Sequence, residues 1–364
     1  MYIKNLQLIN FRSYEKLDLN LKPGVNIFIG KNGEGKTNIV ESVIFQTFLN
    51  SHRVSTVQPL IKLNQETAYI RSKIKYPNRD IDLVLELNSN KPNKAQINQN
   101  QTKSQKEVFG LEQSIYFSPE DLDLVRGDSG LRRKFLDEYA TLKSPKIAAL
   151  TSDYEKAIKQ RNRLLKSRSN KESLSPWDDQ VANLGGQLIA VRINLINELL
   201  PIFQATYDQI SNGKPATIQY KSSIESPSNN PQVNSEKIQK GLTTAYQLEI
   251  ERGFTLVGPH RDDLILKLDN QPVKTYASHG ESWSIALALK LSIFKDIQKL
   301  GTKPILILDD VFAELDEERR SHLLNVIDEV EQTLITCAVV SDLPTQIKGE
   351  KYFVRSGFVS NYEA

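Results

Sequence analysis

The sequence predicts an α/β fold with α+β character, in which mixed and antiparallel sheets plus helices are interrupted by an inserted, mainly helical lobe. Three observations predict this class. A glycine-rich loop at 30–37 lies between a short apolar strand and a helix. A second buried strand, ending in an acidic pair at 309–310, comes near the other end of the chain. Between them, residues 119–205 carry the three- and four-residue spacing of amphipathic helices.

The glycine-rich loop fits G-x-x-x-x-G-K-[ST] and lies between the apolar run 25–29 and the helical run 39–44. Backbone N–H groups of such a loop surround phosphate oxygens at a positive helix end. Lys36 is expected to reach the β- and γ-phosphates as a catalytic residue, and the Thr37 hydroxyl to ligate magnesium. A glycine turn that matches by chance is the alternative, and the flanking strand and helix argue against it. The nucleotide-binding residues expected in the loop are Gly30, Lys31, Asn32, Gly33, Glu34, Gly35, Lys36 and Thr37.

The distant acidic pair follows four apolar residues, so it sits at the carboxyl end of a buried strand, where α/β sheets bind ligands. Asp309 is expected to hold magnesium, directly or through water. Asp310 is then placed to orient and deprotonate the attacking water as a catalytic residue. An acidic turn after a core strand is the alternative, which the phosphate loop makes the weaker one. The long separation of loop and acids predicts a large insertion between two halves of one nucleotide site.

Length and composition limit the number of structural units and the kind of protein. The 364 residues predict two or three structural units, and 39% hydrophobic with 25% charged residues is ordinary for a soluble protein. No apolar run approaches membrane-spanning length, and the start lacks a signal-peptide pattern, so we expect a cytoplasmic protein without a membrane partner. The single cysteine, Cys337, excludes an internal disulfide and lies in an apolar stretch typical of a buried thiol.

Residues 1–118 are expected to form the first part of the nucleotide-binding head. Apolar residues alternate at 81–87, as in a half-buried strand, and a polar hairpin tip or loop follows at 88–102. A short strand at 115–117 leads into Ser118, a candidate N-cap followed by proline.

The inserted lobe is expected to cover residues 119–240. Apolar residues at 181–195 form a helical seam, and those at 147–164 form its partner, joined by a polar tip at 167–175. This pattern predicts a short antiparallel helical arm. A strand at 216–220 and a loop rich in Ser, Pro and Asn complete the lobe.

The arm carries a run of basic residues without an acid. A solvated helix face is the ordinary interpretation, and an electrostatic contact with a nucleic-acid backbone is the functional one. The candidate DNA-binding residues of the run are Lys156, Lys159, Arg161, Arg163, Lys166 and Arg168.

Residues 241–364 are expected to form the second part of the head, with strands at 254–257 and 264–268 and a long helix at 281–299. Ser278 and Glu281 fit a capping box at the start of that helix. The functional interpretation is a γ-phosphate receptor made from the Ser278 hydroxyl, the Gly280 backbone and the helix N-terminus.

A phosphate loop, an acidic strand and a serine–glycine helix start together predict an ABC-type P-loop ATPase head. Within that class the chain closely resembles the RecF family of bacterial recombination mediators, through motifs that span nearly its whole length. The motifs are NFRSY at 10–14, GKTN at 35–38, SHR at 51–53, FSPEDL at 117–122, RRKFLD at 132–137, QRNRLL at 160–165, GPHRDDL at 258–264 and LDDVFAELD at 308–316.

The resemblance implies that the chain binds ATP and Mg²⁺ and forms a homodimer on ATP binding. Ser278 and Gly280 resemble the signature motif that contacts the γ-phosphate held by the other subunit, and Asp316 resembles the aspartate of the D-loop. Arg12 is implied to meet the nucleotide phosphates, and Arg53 to couple the site to DNA. The implied role is at gapped or single-stranded DNA and junctions, aiding RecA loading with RecR and RecO and supporting the SOS response.

Several residues depart from the ABC pattern. Asp310 stands where ABC heads usually carry Glu, and its shorter side chain predicts slow hydrolysis, which suits a switch. Glu281 stands where the family signature commonly has Gln, which adds a carboxylate near the γ-phosphate unless it acts as a cap. Thr336 occupies roughly the region of the switch histidine of transporter ATPases, and Gln113 is the candidate for the Q-loop glutamine.

Two alternatives share the phosphate loop. An ATPase subunit of a membrane transporter would have its signature much sooner after the loop. A P-loop nucleotide kinase has no use for Ser278 or Asp316.

Overall fold

The computed structural model describes residues 1–211 and 213–362, which form two compact units. The first unit joins residues 1–121 to 294–364, and the second covers 122–293. The α-helices are α1 Lys36–Phe48, α2 Leu122–Arg126, α3 Ser129–Lys143, α4 Pro145–Lys166, α5 Lys171–Ile210, α6 Pro231–Arg252, α7 Val273–Tyr276, α8 His279–Gln298 and α9 Glu317–Glu329. The strands are β1 Tyr2–Phe11, β2 Tyr14–Asn20, β3 Gly24–Ile29, β4 Thr67–Lys75, β5 Asp80–Asn88, β6 Lys94–Ile97, β7 Asn100–Gln101, β8 Ser114–Phe117, β9 Ala216–Lys221, β10 Asp263–Leu268, β11 Gln271–Pro272, β12 Ile305–Asp309, β13 Gln332–Cys337, β14 Glu350–Arg355 and β15 Phe358–Ser360.

One sheet of the first unit is antiparallel, in the order β2-β1-β4-β5-β6-β7. Alternate residues of β5 are buried, as the apolar pattern at 81–87 predicts. The polar stretch after it folds as the hairpin β6-β7.

The second sheet of this unit positions the site. Its order is β15-β14-β3-β13-β12-β8, and all neighbours except the edge pair β14-β15 are parallel. Every residue of β12 is buried. Because parallel strands end at the same edge, the phosphate loop after β3 and Asp309 at the end of β12 meet there, with β13 between them.

The second unit contains the helical arm, in which α4 and α5 pack in antiparallel directions, and the small sheet β11-β10-β9. Gly186 lets α5 approach the start of α6, because a Cβ atom there would lie 2.5 Å from the Pro231 carbonyl oxygen. The arm packs against α6 and the segment after β9 through one core cluster, made of Tyr154, Ala157, Val181, Ala182, Leu188, Ile189, Ile224, Ile238 and Leu242. The predicted fold class, with sheets of both kinds and a helical insertion, is confirmed.

Within the described residues, α5 is the one helix long and apolar enough to cross a membrane by length and composition alone, although no such span was expected. It packs between α4 and α6, and buried positions recur along it, so its apolar residues serve the core of the second unit.

The structure corrects three local expectations. Residues 254–257 are not a strand, because side chains bind their backbone: the N–H of Thr255 donates to Asn162 (2.7 Å) and that of Leu256 to Glu249 (2.7 Å). The arm tip ends at Asn170, whose side chain caps α5, so α5 already includes residues 171–175. The sequence interpretation also missed α6, whose N-cap is Asn230.

The compact units have different bounds from the three expected segments. Residues 241–293 pack in the same unit as the arm, since β10 pairs with β9 and α6 packs on α5. The segment boundaries at 118/119 and 240/241 stay a prediction about domains.

Candidate nucleotide-binding site

The phosphate loop is held open by glycines in conformations that other residues rarely adopt. Gly33 and Gly35 have φ angles of 86° and 111°. Gly30 has no room for a side chain, because a Cβ atom would lie 2.3 Å from the carbonyl oxygen of Val354. The Tyr14 hydroxyl donates to the Gly35 carbonyl oxygen (3.1 Å), so the first residue of β2 helps to fix the loop. Tyr14 was part of a family motif, but its support of the loop was not predicted.

Lys36 is buried at the first position of α1 and points back into the loop. Its Nζ atom lies 3.3 Å from the Lys31 carbonyl oxygen and 3.9 Å from Asp310 Oδ2. The ammonium group is therefore placed between the loop backbone and the acidic pair, and its contact with the β- and γ-phosphates stays a prediction.

Two threonines contact the acidic pair at the end of β12. The Thr37 hydroxyl donates to Asp309 Oδ1 at 3.2 Å, which joins the two residues predicted to hold magnesium. The Thr336 hydroxyl also donates to Asp309 Oδ1, at 2.5 Å, and accepts the Asp310 N–H at 2.9 Å. Thr336 therefore orients both acidic residues; the sequence placed it near the switch-histidine region, but its contacts with the acidic pair were not predicted. Its position at the end of the neighbouring apolar strand β13 was the available signal.

Burial sets the charge state of this acidic pair. It raises the pKa of Asp309 to about 6, helped by the charges of Asp310 and Glu120 and opposed by the hydrogen bonds from Thr336 and Thr37. Burial also raises the pKa of Asp310, and the Lys36 ammonium opposes that shift. A cation bound here would favour the ionised forms and reverse these shifts.

The oxygen atoms present suit magnesium. Within the described residues, no three His, Cys, Asp or Glu side chains are grouped as a metal cage. Mg²⁺ is usually bound by one or two carboxylates together with substrate phosphates, and a hydroxyl and a carboxylate oxygen 3.2 Å apart beside a phosphate loop match that mode. Thr37 and Asp309 would hold the ion, which would neutralise charge on the phosphates.

Arg12 and Arg53 both lie against Glu41, a fully buried residue of α1. Arg12 donates to both carboxylate oxygens, at 2.7 and 2.8 Å. Arg53 Nη1 lies 3.6 Å from the same carboxylate and 3.2 Å from Asn38 Oδ1. The structure thus brings both arginines to the helix that begins in the phosphate loop, and it adds Glu41 as a residue that sequence reasoning missed.

The serine–glycine helix start belongs to the second unit. Ser278 and Glu281 form the predicted capping box: the N–H of Ser278 donates to Glu281 (2.7 Å), and the N–H of Glu281 donates to the Ser278 hydroxyl (3.2 Å). Glu281 also pairs with Lys214 at 2.8 Å, and these contacts lower its pKa to about 2. The added carboxylate is therefore used as a cap. Ser278 is exposed, and Gly280 lies in the first turn of α8.

Asp316 is the N-cap of α9. Its side chain accepts the Arg319 N–H at 3.0 Å and pairs with the Arg319 guanidinium, and it is 54% exposed. It is therefore held in place at the surface of the first unit, and its role at a dimer interface stays a prediction.

The basic run of the arm divides into two kinds of residue. Arg161 is fully buried and ion-paired with Asp178 (2.6 Å) and Glu249 (2.7 Å), so its prediction as a DNA-binding residue is wrong. A guanidinium compensated by two carboxylates inside the core cannot reach a phosphate. The exposed members of the run are Lys156, Lys159, Arg163, Lys166 and Arg168.

A parallel sheet that gathers a phosphate loop and an acidic strand at one edge, together with an antiparallel sheet and an inserted helical unit, defines an ABC-type ATPase head. The chain belongs to the RecF family within this class. The model of the RecF/RecN/SMC N terminal domain matches residues 2–347. The DNA replication and repair protein RecF of Streptomyces avermitilis is 43% identical over 370 residues, which covers 99% of each chain. The resemblance predicted from the sequence motifs is confirmed.

Solved structures agree with this assignment. A recombination mediator protein RecF of the RecFOR pathway, in its ATP form, matches with a TM-score of 0.89 at 28% identity and covers 99% of this chain and 97% of its own. An Smc head domain from Pyrococcus furiosus matches with a TM-score of 0.54 at 15% identity, over 98% and 95% of the two chains. The second likeness shows the shared fold alone.

Proposed function

We propose that this chain is an ATP-binding, slowly hydrolysing switch that binds DNA in replication and recombinational repair. The observation that carries the proposal is the hydrogen-bonded group of Thr37, Asp309 and Thr336 beside the phosphate loop. The Streptomyces relative is named a DNA replication and repair protein, and a structural relative is described in its ATP form. Membership of the RecF family favours this function over a transporter ATPase subunit or a nucleotide kinase.

The residues of the site divide the chemistry between them. Loop N–H groups and Lys36 bind the phosphates, and Asp310 accepts the proton of the attacking water. Bound magnesium would supply charge neutralisation at the phosphates. In the structure Asp310 faces Lys36 across 3.9 Å, so a phosphate that engages Lys36 also frees the base. The short Asp310 side chain holds the water less closely than Glu would, which makes hydrolysis slow.

The switch is expected to work as a dimer. The exposed Ser278 and the adjacent Gly280 would contact the γ-phosphate bound by a second copy, and Asp316 would lie at the same interface. The dimer would bind gapped or single-stranded DNA and junctions in the cytoplasm. It would aid RecA loading with RecR and RecO and support the SOS response.

The test is to measure self-association and binding to a gapped duplex, with and without ATP. The wild type should dimerise and bind DNA more tightly with ATP, and Lys36→Ala should lose both responses. Lys16→Ala, which removes an exposed lysine on β2, is the matched control and should behave as wild type. An absence of any ATP effect on association and on DNA affinity in the wild type would sink the switch model.

A further inference from the structure

Glu41 has an unusual position for a carboxylate. It lies on α1 one turn beyond Thr37, and none of its side chain is exposed. Burial raises its pKa, but hydrogen bonds from Arg12 and Ser51 and the charge of Arg12 lower it more, so the group is ionised. A buried carboxylate at this place, one turn from the phosphate site, needs partners, and it has two arginines from two separate segments.

The two arginines are held with unequal strength. Arg12 makes a bidentate fork with Glu41 and a further hydrogen bond to the Pro59 carbonyl oxygen (3.0 Å), and it is 15% exposed. Arg53 has one longer contact with the carboxylate, at 3.6 Å, and is 39% exposed. Arg53 is therefore the partner that Glu41 can exchange.

The backbone around Arg53 is fixed independently of its side chain. The Ser51 hydroxyl donates to Glu41 at 2.5 Å and accepts the N–H groups of Arg53 (2.9 Å) and Val54 (3.1 Å). The Arg53 side chain can leave the carboxylate without unfolding the loop that carries it. Glu41 thus fixes both the start of this loop, through Ser51, and the position of the Arg53 guanidinium.

The charges of this group call for an anion. One carboxylate faces two guanidinium groups, which leaves one positive charge uncompensated next to the first turn of α1. If Arg53 moves to a phosphate, Glu41 and Arg12 remain as a balanced pair, and the phosphate receives the surplus charge.

We propose that Glu41 is a positioning residue: it is the shared counter-ion that retains Arg53 against α1 until a phosphate oxyanion draws the guanidinium away. The inference rests on the proposed function and deepens it, because the same carboxylate lies on the helix that carries Lys36 and Thr37. The phosphate belongs either to the bound nucleotide or to a DNA backbone, and the two sources are separated by experiment.

The experiment is a double-mutant cycle of Glu41→Gln and Arg53→Ala. Affinity is measured for a fluorescent ATP analogue without DNA, for a gapped duplex without nucleotide, and for the duplex with ATP. Glu41→Gln should raise affinity for the phosphate source that Arg53 meets by about 3- to 10-fold, and Arg53→Ala should abolish that gain. A gain for the analogue identifies the nucleotide, and a gain for the duplex identifies DNA.

Glu15→Gln is the matched control. It makes the same change of net charge at an exposed ion pair with Lys62, and both affinities should stay within about 2-fold of wild type. If Arg53→Ala has the same fold effect with and without Glu41, or if Glu41→Gln changes neither affinity, Glu41 does not retain Arg53. Should wild type bind neither ligand, the proposed function itself fails.

A second variant is used if Glu41→Gln does not fold because Arg12 loses its partner. Arg12→Gln/Glu41→Gln removes both members of the buried fork and leaves no buried charge behind. Arg53 is released in this background too, so Arg53→Ala should again reduce affinity by more than it does in the wild-type chain. An equal reduction in the two backgrounds overturns the proposal.

Discussion

Two arginine–carboxylate clusters in this chain are built with opposite balances of charge. The Glu41 cluster, made of Arg12, Glu41 and Arg53, places one carboxylate between two guanidinium groups, and one of these is 39% exposed. The Arg161 cluster, made of Arg161, Asp178 and Glu249, places one fully buried guanidinium between two carboxylates. Surplus positive charge at a surface can bind an anion, whereas surplus negative charge around a buried arginine keeps that arginine in place. The first cluster is suited to a ligand and the second to stability.

The largest effect should come from breaking the Arg161 cluster. Arg161→Ala leaves the buried Glu249 without its partner and should lower the free energy of unfolding by about 3–5 kcal/mol. Urea unfolding followed by circular dichroism measures the loss. Arg163→Ala, an exposed arginine on the same helix, should change the free energy by less than about 0.5 kcal/mol. Equal losses for the two variants would contradict the structural role of Arg161.

The next largest effect is a pH dependence of stability near the Arg161 cluster. His260 lies beside the Arg161 cluster: its Nε2–H donates to the Thr255 carbonyl oxygen (3.0 Å), and Nδ1 of the neutral ring accepts from the Tyr154 hydroxyl (2.7 Å). Burial lowers its pKa to about 4, so the folded protein holds the neutral form. The unfolded chain binds a proton below about pH 6.5, so this contribution to stability is present at pH 7 and falls as pH drops to 4.

The contribution of His260 to the free energy of unfolding should fall by about 3 kcal/mol between pH 7 and pH 4. Urea unfolding of wild type and His260→Gln across this range measures it, because glutamine keeps a donor and an acceptor but does not titrate. Wild type should lose this stability relative to the variant as the pH falls. A difference that stays constant would show that His260 is not held neutral by the fold.

The sequence was a good guide where function depends on local chain geometry. The loop at 30–37, Asp309 at the end of a buried strand and the Ser278–Glu281 cap each follow from residues close together in the chain. Arg161 and Thr336 show the opposite case. A basic run does not reveal which side chain faces the core, because Asp178 and Glu249 come from elsewhere in the chain. Thr336 acts through the pairing of β13 with β12, so the apolar stretch that carries it did not show that its hydroxyl binds Asp309.

An intermediate effect, on ATP hydrolysis, is expected from changing Thr336 in the nucleotide-binding site. Thr336→Val keeps the shape but removes the hydroxyl that binds Asp309 and the Asp310 N–H. Loss of such a supporting hydrogen bond should reduce the ATP hydrolysis rate by about 10- to 100-fold, with ATP affinity changed much less. Single-turnover hydrolysis and equilibrium binding of ATP separate the two. Thr333→Val, a buried threonine earlier on β13, is the matched control. A hydrolysis rate of Thr336→Val equal to that of wild type would show that the Thr336 hydroxyl does not support the site.

The smallest expected effect is on DNA binding by the exposed residues of the basic run, which exclude the buried Arg161. Lys159→Ala/Arg163→Ala removes two exposed charges from α4 and should reduce the slope of log affinity for gapped duplex against log salt by about two. Lys4→Ala/Lys16→Ala removes two exposed lysines from the first unit and is the control for net charge. If both double variants change the slope equally, the arm contributes only its overall charge. If only the arm variant does so, α4 contacts the DNA backbone, and surplus positive charge marks a ligand surface in the second unit as it does around Glu41.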